Sequence, residues 1–271
     1  MWKQKVKKFA AILSIILLLP YVLTVFIHGA ETTEAESELD MYCVSVLARE
    51  VSEDYEDEML KTQAVLVRTT IYKEVQDAEG KLNMEESYDV KKEISGEWYR
   101  KLCEIWKETE GEVLLYEDKL ALTPFHNLSN GKTRNGKEVL GSDDYPYLKS
   151  VECPKDVESE KQIDSKLINT KSVKIVSKDS AGYVTEVQMG EEKVSGDQFR
   201  DTYKLPSSCF ILQSAGEKTR VITSGIGHGL GLSQNTANEM AKDGKSYEEI
   251  LSYFFEGTTI KEVAEVLLNV E

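Results

Sequence analysis

Residues Phe9 to Ile27, FAAILSIILLLPYVLTVFI, run for 19 residues without a charged side chain. As a helix, that length just spans the hydrocarbon core of a bilayer. A run of this kind leaves the chain few alternatives, because every backbone N–H and C=O within lipid must find an internal partner. Pro20 falls inside the run and is tolerated in a membrane helix. WKQKVKK at residues 2–8 is basic and the acids begin only after Gly29. The lysines therefore predict a cytoplasmic N-terminus and an extracytoplasmic remainder. A cleaved signal peptide is the rival reading, but its apolar region is shorter, about 7–15 residues, and ends in an A-x-A site. HGAETTEA offers no clear A-x-A, which favours an uncleaved anchor. The expected organisation is a cytoplasmic basic tail over 1–8, a transmembrane signal anchor over 9–28, a linker over 29–40 and a folded domain over 41–271. The expected location is the cell membrane, crossed once.

The chain carries a formal net charge of -15, and its first 30 residues hold lysines but no acid, so the remainder is more acidic still. Nucleic-acid binding needs a basic face to meet phosphates, and none is visible. Anionic lipid would repel such a chain everywhere but at its N-terminus. Cys43, Cys103, Cys153 and Cys209 stand singly, there is no CxxC, and there are three histidines. A structural zinc site is therefore not expected. Disulfides can form outside the cytoplasm, but spacing does not give their pairing.

Beyond the anchor the pattern predicts an α+β domain of mixed helices and antiparallel strands. A first helix is expected over Leu39 to Val51, with Val44, Leu47 and Val51 on one stripe. SEDYEDE breaks the apolar pattern and suits the start of a second helix, where acids meet the dipole. That helix shows Leu60, Ala64, Val67, Ile71 and Val75 as a buried stripe. Lys61, Arg68 and Tyr72 lie on a neighbouring face and Gln63 on another flank. Trp98, Leu102, Ile105 and Trp106 mark a third helix. VLLYEDKLALTPF reads as two strands about Glu117-Asp118-Lys119. SVKIVS and YVTEVQM form a hairpin about Asp179 to Gly182, and SCFILQS and TRVITSG another about Ala215-Gly216-Glu217. DVESEKQIDSK reads only as a charged stretch. Residues 197–203 suit a short helix, and two more are split at Gly244.

Three constellations could carry chemistry. In SGIGHGLGLSQNTANEMAKDG, Gly225, Gly227, Gly229 and Gly231 alternate with other residues, so the backbone can approach a ligand or another segment closely. Ser233 or Asn235 can cap the following helix. A phosphate loop would need a lysine after the glycines, and a nucleophilic serine would need GxSxG; both are missing. A polysaccharide-contacting loop using His228 and Gln234 remains, beside a plain Gly-rich turn with a satisfied histidine. His126 with Asn127, Ser129 and Asn130 is either a second polar cluster or simply a turn. A metal shared by His126 and His228 would lack a third ligand. Glu50 ends an apolar helical run; desolvated there, its pKa would rise and it could serve as a general acid. Lys61 or Arg68 nearby would oppose that shift, and an ordinary exposed helix-end acid is the plainer account.

Five stretches, taken together and in order, resemble the stage II sporulation protein D family, which includes amidase-enhancer proteins. They are VLAREVSEDYEDEMLKTQAVLVRT, ETEGEVLLYEDKLALTPFHNLSNGKT, YPYLKSVECP, LPSSCFILQ and GIGHGLGLSQNTANEMAKDGKSYEEILSYFFEGTTI, spanning Met41 to Ile260. The resemblance implies a lytic transglycosylase acting on cell-wall glycan during engulfment, with no cofactor or metal. Such an enzyme cleaves between N-acetylmuramic acid and N-acetylglucosamine without water. One carboxyl group protonates the glycosidic oxygen and then takes the proton of the sugar's 6-hydroxyl as that group closes an anhydro ring. Most hydrolases need two carboxylates; this reaction does not. Glu50 matches the family's glutamate. Lys61, Gln63 and Arg68 match positions of its LKAQAVAART-like helix, His126 and Ser129 its H-x-x-SGG-like loop, and His228, Ser233 and Gln234 its HGVGMSQ-like loop. These eight are implied to bind glycan or orient Glu50. The implied partners are glycan strands stripped of stem peptides and the amidase that strips them, with a non-catalytic wall-binding or amidase-enhancing role as the alternative. The chain departs from the pattern at SNG for SGG, Leu232 for Met, Asn235-Thr236 for Tyr-Gly, and Thr70 for an aromatic residue.

Overall fold

Helix α2 (Asp57–Asp77) is the axis of the molecule and is buried on more than one side. The computed structural model describes residues 39–77, 93–109 and 111–263. The expected anchor over 9–28 lies outside those residues, and among them no helix is long and apolar enough to cross a bilayer. The expected stripe Leu60, Ala64, Val67 and Ile71 packs on Cys43, Val44 and Leu47 of α1 (39–50) and on Trp98, Leu102, Ile105 and Trp106 of α3 (Gly96–Glu108). A second stripe, Met59, Val65 and Leu66, faces a separate core with Leu114, Ala237, Ile250, Leu251 and Phe254. A helix flanked on both sides has little room for the polar face that a surface helix shows. Leu39 and Asp40 already belong to α1, and the Asp40 carboxylate accepts the Trp106 indole N–H at 3.0 Å.

Among the described residues the strands form four small sheets. β1 (Glu112–Tyr116) lies between β2 (Lys119–Leu120) and β11 (Thr259–Glu262), antiparallel to both. Glu117 and Asp118 turn the chain there with φ of 50° and 60°, as a two-residue hairpin of the primed type requires. β3 (Phe125–His126) pairs with β10 (Leu232–Ser233), and this pairing is parallel rather than antiparallel. β4 (Ile163–Ile168), β9 (Lys218–Ser224) and β8 (Phe210–Ala215) form one antiparallel sheet; β5 (Val173–Lys178), β6 (Val184–Met189) and β7 (Glu192–Ser195) form another. Ile168, Val184, Val187, Phe199, Leu205, Phe210 and Val221 join the last two sheets through α6 (Gly196–Tyr203).

The helices α4 (Gly136–Leu140), α5 (Pro154–Val157), α7 (Gln234–Lys242) and α8 (Tyr247–Phe254) complete the described chain. Ser195 and Ser246 each head a capping box, with Gln198 and Glu249 reaching back, which satisfies two orphan N–H groups per helix. The charged stretch DVESEKQIDSK corrects the expectation most: it holds the end of α5 and the first residues of β4. β4 buries only Ile168, so it shows no alternation by which a strand could be recognised.

Candidate functional site

The Gly-rich loop folds back over the segment that carries His126. In the β3–β10 register Ser233 stands opposite His126. Leu128 and Ile226 exchange two backbone hydrogen bonds, of 3.0 and 2.7 Å. Glycine is required where the two segments touch. At Gly227, with φ 109°, a Cβ would sit 2.7 Å from the His126 Cβ; at Gly231, with φ 73°, it would sit 1.9 Å from the Pro124 carbonyl oxygen. The alternating glycines thus receive another segment of the chain. Arg134 fixes the loop from the far side: its guanidinium donates to Asp179 at 2.6 Å, to Asp197 at 3.2 Å and to the His228 carbonyl at 3.1 Å.

Both histidines are held neutral. His126 is buried, and its Nδ1 faces the Leu230 carbonyl at 3.2 Å. Nδ1 therefore carries the hydrogen, assigned from its partner. Nε2 is then a buried lone pair without a partner. Burial, aided by the neighbouring His228, pushes the pKa of His126 down to about 3. His228 Nδ1 accepts the Leu230 N–H at 3.1 Å. Its pKa is lowered by burial and by Arg200, with Asp197 opposing. The rings lie 5.8 Å apart. Among the described residues no group of three His, Cys, Asp or Glu side chains is arranged to hold a metal. The four cysteines are thiols, and burial pushes those of Cys43 and Cys153 up to about 12.

Asp156, which no sequence pattern singled out, ties the two loops together. It is fully buried. Its Oδ2 accepts the Ser129 N–H at 2.8 Å and the Ser233 hydroxyl at 2.7 Å; its Oδ1 accepts the Asn235 amide at 3.0 Å and the Thr236 hydroxyl at 2.7 Å. Four donors, three of them on the first residues of α7 and its cap, satisfy a carboxylate that could not otherwise be buried. Asn235 and Thr236, which depart from the family pattern, are turned inward onto this acid. Thr70, another departure, bonds Thr123 at 3.0 Å. The sequence held one indirect signal: the small polar side chains at 233, 235 and 236.

Glu50 is the last residue of α1, and Gln234 brings it to the loops. The Gln234 amide nitrogen donates to the Glu50 backbone carbonyl at 2.7 Å and lies 3.2 Å from Gln63 Oε1. One of the carbonyls orphaned at the end of α1 is thereby satisfied. Gln63 is fully buried and its own amide nitrogen has no partner. The Glu56 N–H donates to Asn238 of α7 at 2.9 Å, so the acidic break between α1 and α2 is also fastened to the Gly-rich arm. The Glu50 side chain itself is exposed at the rim. Its pKa is raised by partial desolvation, which Arg49 opposes; the negative end of α1 acts in the same direction as the desolvation.

Seven of the nine expected residues are therefore linked: Glu50, Gln63 and Gln234 by hydrogen bonds, Ser129 and Ser233 through Asp156, and His126 and His228 by ring contact and β3–β10 register. Lys61 and Arg68 are held elsewhere, at the end of α3. Lys61 pairs with Glu58 at 3.0 Å and Glu108 at 2.9 Å. Arg68 is buried, stacks 3.7 Å from the Trp106 ring centre, and donates to the carbonyls of Trp106, Thr109 and Glu112 at 3.0, 2.6 and 3.1 Å.

Residues 28–116 match the family described as stage II sporulation protein. The chain is 30% identical over 263 residues to stage II sporulation protein D of Bacillus subtilis (strain 168), covering 85% of this chain and 76% of that protein. It is 29% identical over 256 residues to the protein of the same name from Bacillus amyloliquefaciens, covering 83% and 74%. An uncharacterized protein of Brachyspira hyodysenteriae is 26% identical over 259 residues, covering 87% and 70%.

Proposed function

The chain belongs to the stage II sporulation protein D family, and from that premise we propose that it is a membrane-anchored lytic transglycosylase that cleaves peptidoglycan during engulfment. Membership places it in sporulation; the reaction, the anchor at 9–28 and the extracytoplasmic location are our reading. One observation carries it. Gln234 joins the Glu50 carbonyl to Gln63, so the residue best suited to be an acid stands where the Gly-rich arm meets α1 and α2.

In this reading the Glu50 carboxyl group donates its proton to the oxygen between N-acetylmuramic acid and N-acetylglucosamine. The carboxylate left behind accepts the 6-hydroxyl proton as O6 bonds to C1, so the glutamic acid is regenerated and no water is consumed. The raised pKa of Glu50 favours the protonated form needed for the first step. The inward use of Thr70, Asn235 and Thr236 favours the second reading, a wall-binding or amidase-enhancing protein, since no aromatic ring stands there to stack on sugar.

The full-length protein incubated with glycan stripped of stem peptides is expected to release anhydro-muramyl products, detected by mass. Glu50→Gln is expected to abolish them while leaving glycan binding in place. A wild type that binds but never cleaves would replace the enzyme reading with the second one. The mass of the mature N-terminus tests the anchor.

A further inference from the structure

Strand β4 is exposed on both of its faces. From Ile163 to Leu167 every residue meets solvent, Ile163 at 60% and Leu167 at 50%. β9 covers one edge of the strand; among the described residues no strand pairs with the other. The unpaired N–H and C=O groups of such an edge are a template for a further strand. The opposite edge of the same sheet is engaged differently. There the Val184 N–H and the Lys178 ammonium group donate to the Ser208 and Phe210 carbonyls, at 2.9 and 3.1 Å.

The two faces of β4 carry different chemistry. Asp164 and Lys166 stand opposite Thr223 and Val221 of β9, both buried, so they lie on the face that α6 covers. Lys166 Nζ donates to the Tyr203 carbonyl there at 2.8 Å. Ile163, Ser165 and Leu167 lie on the other face. Ile222 stands opposite both Ser165 and Ile211, which makes Ile163 and Leu167 its diagonal neighbours. Ile163, Leu167 and Ile211 are all exposed, so aliphatic side chains cross this face up to the open edge.

An edge strand that meets a copy of itself in antiparallel sense does so about a two-fold axis normal to the sheet. Residues directly opposite each other then share a face, so the axis passes through a residue. Two registers pair five residues of β4. An axis through Lys166 sets Lys166 against itself and Asp164 against Ile168; like charges directly opposite are destabilising. An axis through Ser165 sets Asp164 of each copy against Lys166 of the other, and Ile163 against Leu167. We propose that β4 pairs in this second register with β4 of a second copy of the chain, joining two three-stranded sheets into one of six strands. A join through one strand edge is small, so the dimer is expected to depend on concentration.

Sedimentation of the full-length protein in detergent is expected to show a monomer–dimer equilibrium. Asp164→Lys sets lysine against lysine at two symmetric positions and is expected to weaken the dimer about tenfold; Lys166→Asp is expected to do the same. The double exchange Asp164→Lys/Lys166→Asp makes the edge self-complementary again and is expected to restore the dimer, a rescue that a folding defect would not give. Ser165→Cys, on the axis, is expected to form an intermolecular disulfide under mild oxidation. Gln213→Cys, also exposed but on β8, is not, with the wild type and its four free thiols as the blank. A protein that stays monomeric overturns the pairing, whether the edge is bare or taken by an extended segment of another protein. A dimer indifferent to both single exchanges is held by another surface or by the expected anchor and overturns it too, as does equal cross-linking at 165 and 213. No readout here involves glycan, so the reaction proposed for Glu50 stands or falls separately.

Discussion

Arg68 and Asp156 are both fully buried ions, 1% and 0% exposed, and among the described residues neither forms an ion pair. Each is settled by the end of a helix instead. Arg68 meets carbonyls at the negative end of α3, whereas Asp156 meets donors at the positive end of α7, as the helix dipole dictates. They differ in what they fasten. Arg68 locks α2 to α3 at a place that no loop of the candidate site reaches. Asp156 locks the Ser129 loop to the Ser233 loop, the two arms around the histidine pair. A buried charge therefore marks a convergence of donors or acceptors from separate segments, and whether chemistry lies nearby depends on which segments those are.

Arg68→Met separates the two most strongly. It strips a charged donor from buried carbonyls at the end of α3 and is expected to lower stability by about 3 kcal/mol. Urea denaturation measures it. A loss of glycan cleavage with stability intact would place Arg68 in the site after all and break the contrast. Asp156→Asn comes next. It turns an amide N–H₂ toward groups that are themselves donors and is expected to cost about 2–3 kcal/mol, because bonds to a charged group are lost. It should also weaken glycan binding at temperatures where circular dichroism shows the variant folded, since both loops lose their common anchor. Unchanged binding by the folded variant would make Asp156 a core residue only.

Much of this was legible from local pattern. The stripes of α2 and α3, both hairpins and the break at Gly244 follow from apolar period and turn residues, because those signals act within a few positions. What was hidden acts across the chain. β4 faces solvent along nearly its whole length and so carries no alternation. Asp156 lies in a run of charges, where an acid reads as surface, and its role depends on donors about 27 and 80 residues away. Motif order pointed to nine residues, and the fold brings seven of them into one neighbourhood. It grouped Lys61 and Arg68 with them because a helix displays several faces, and motif order does not say which face meets which partner. Helical spacing did put Gln63 on another flank from Lys61 and Arg68, and that is the flank which meets Gln234.

His126 lies between the two cases, buried and ionisable yet without a counter-ion bonded to it. The groups facing it are the His228 ring, the Leu230 carbonyl and, at longer range, Asp156. Burial holds its folded pKa near 3, against an ordinary value of 6.5. The unfolded chain takes up a proton below the higher value while the folded chain does not. Stability from this residue is therefore complete above pH 6.5 and is lost as the pH falls toward 3, at about 1.4 kcal/mol per pH unit. Urea midpoints across that window should show the slope, and His126→Gln, which cannot be charged, should flatten it. Asp156 is one of the groups that raises the His126 pKa, so Asp156→Asn should extend the decline to lower pH. If the slope survives in His126→Gln, another group carries it, and the histidine pair is not held neutral by burial in the way its geometry implies.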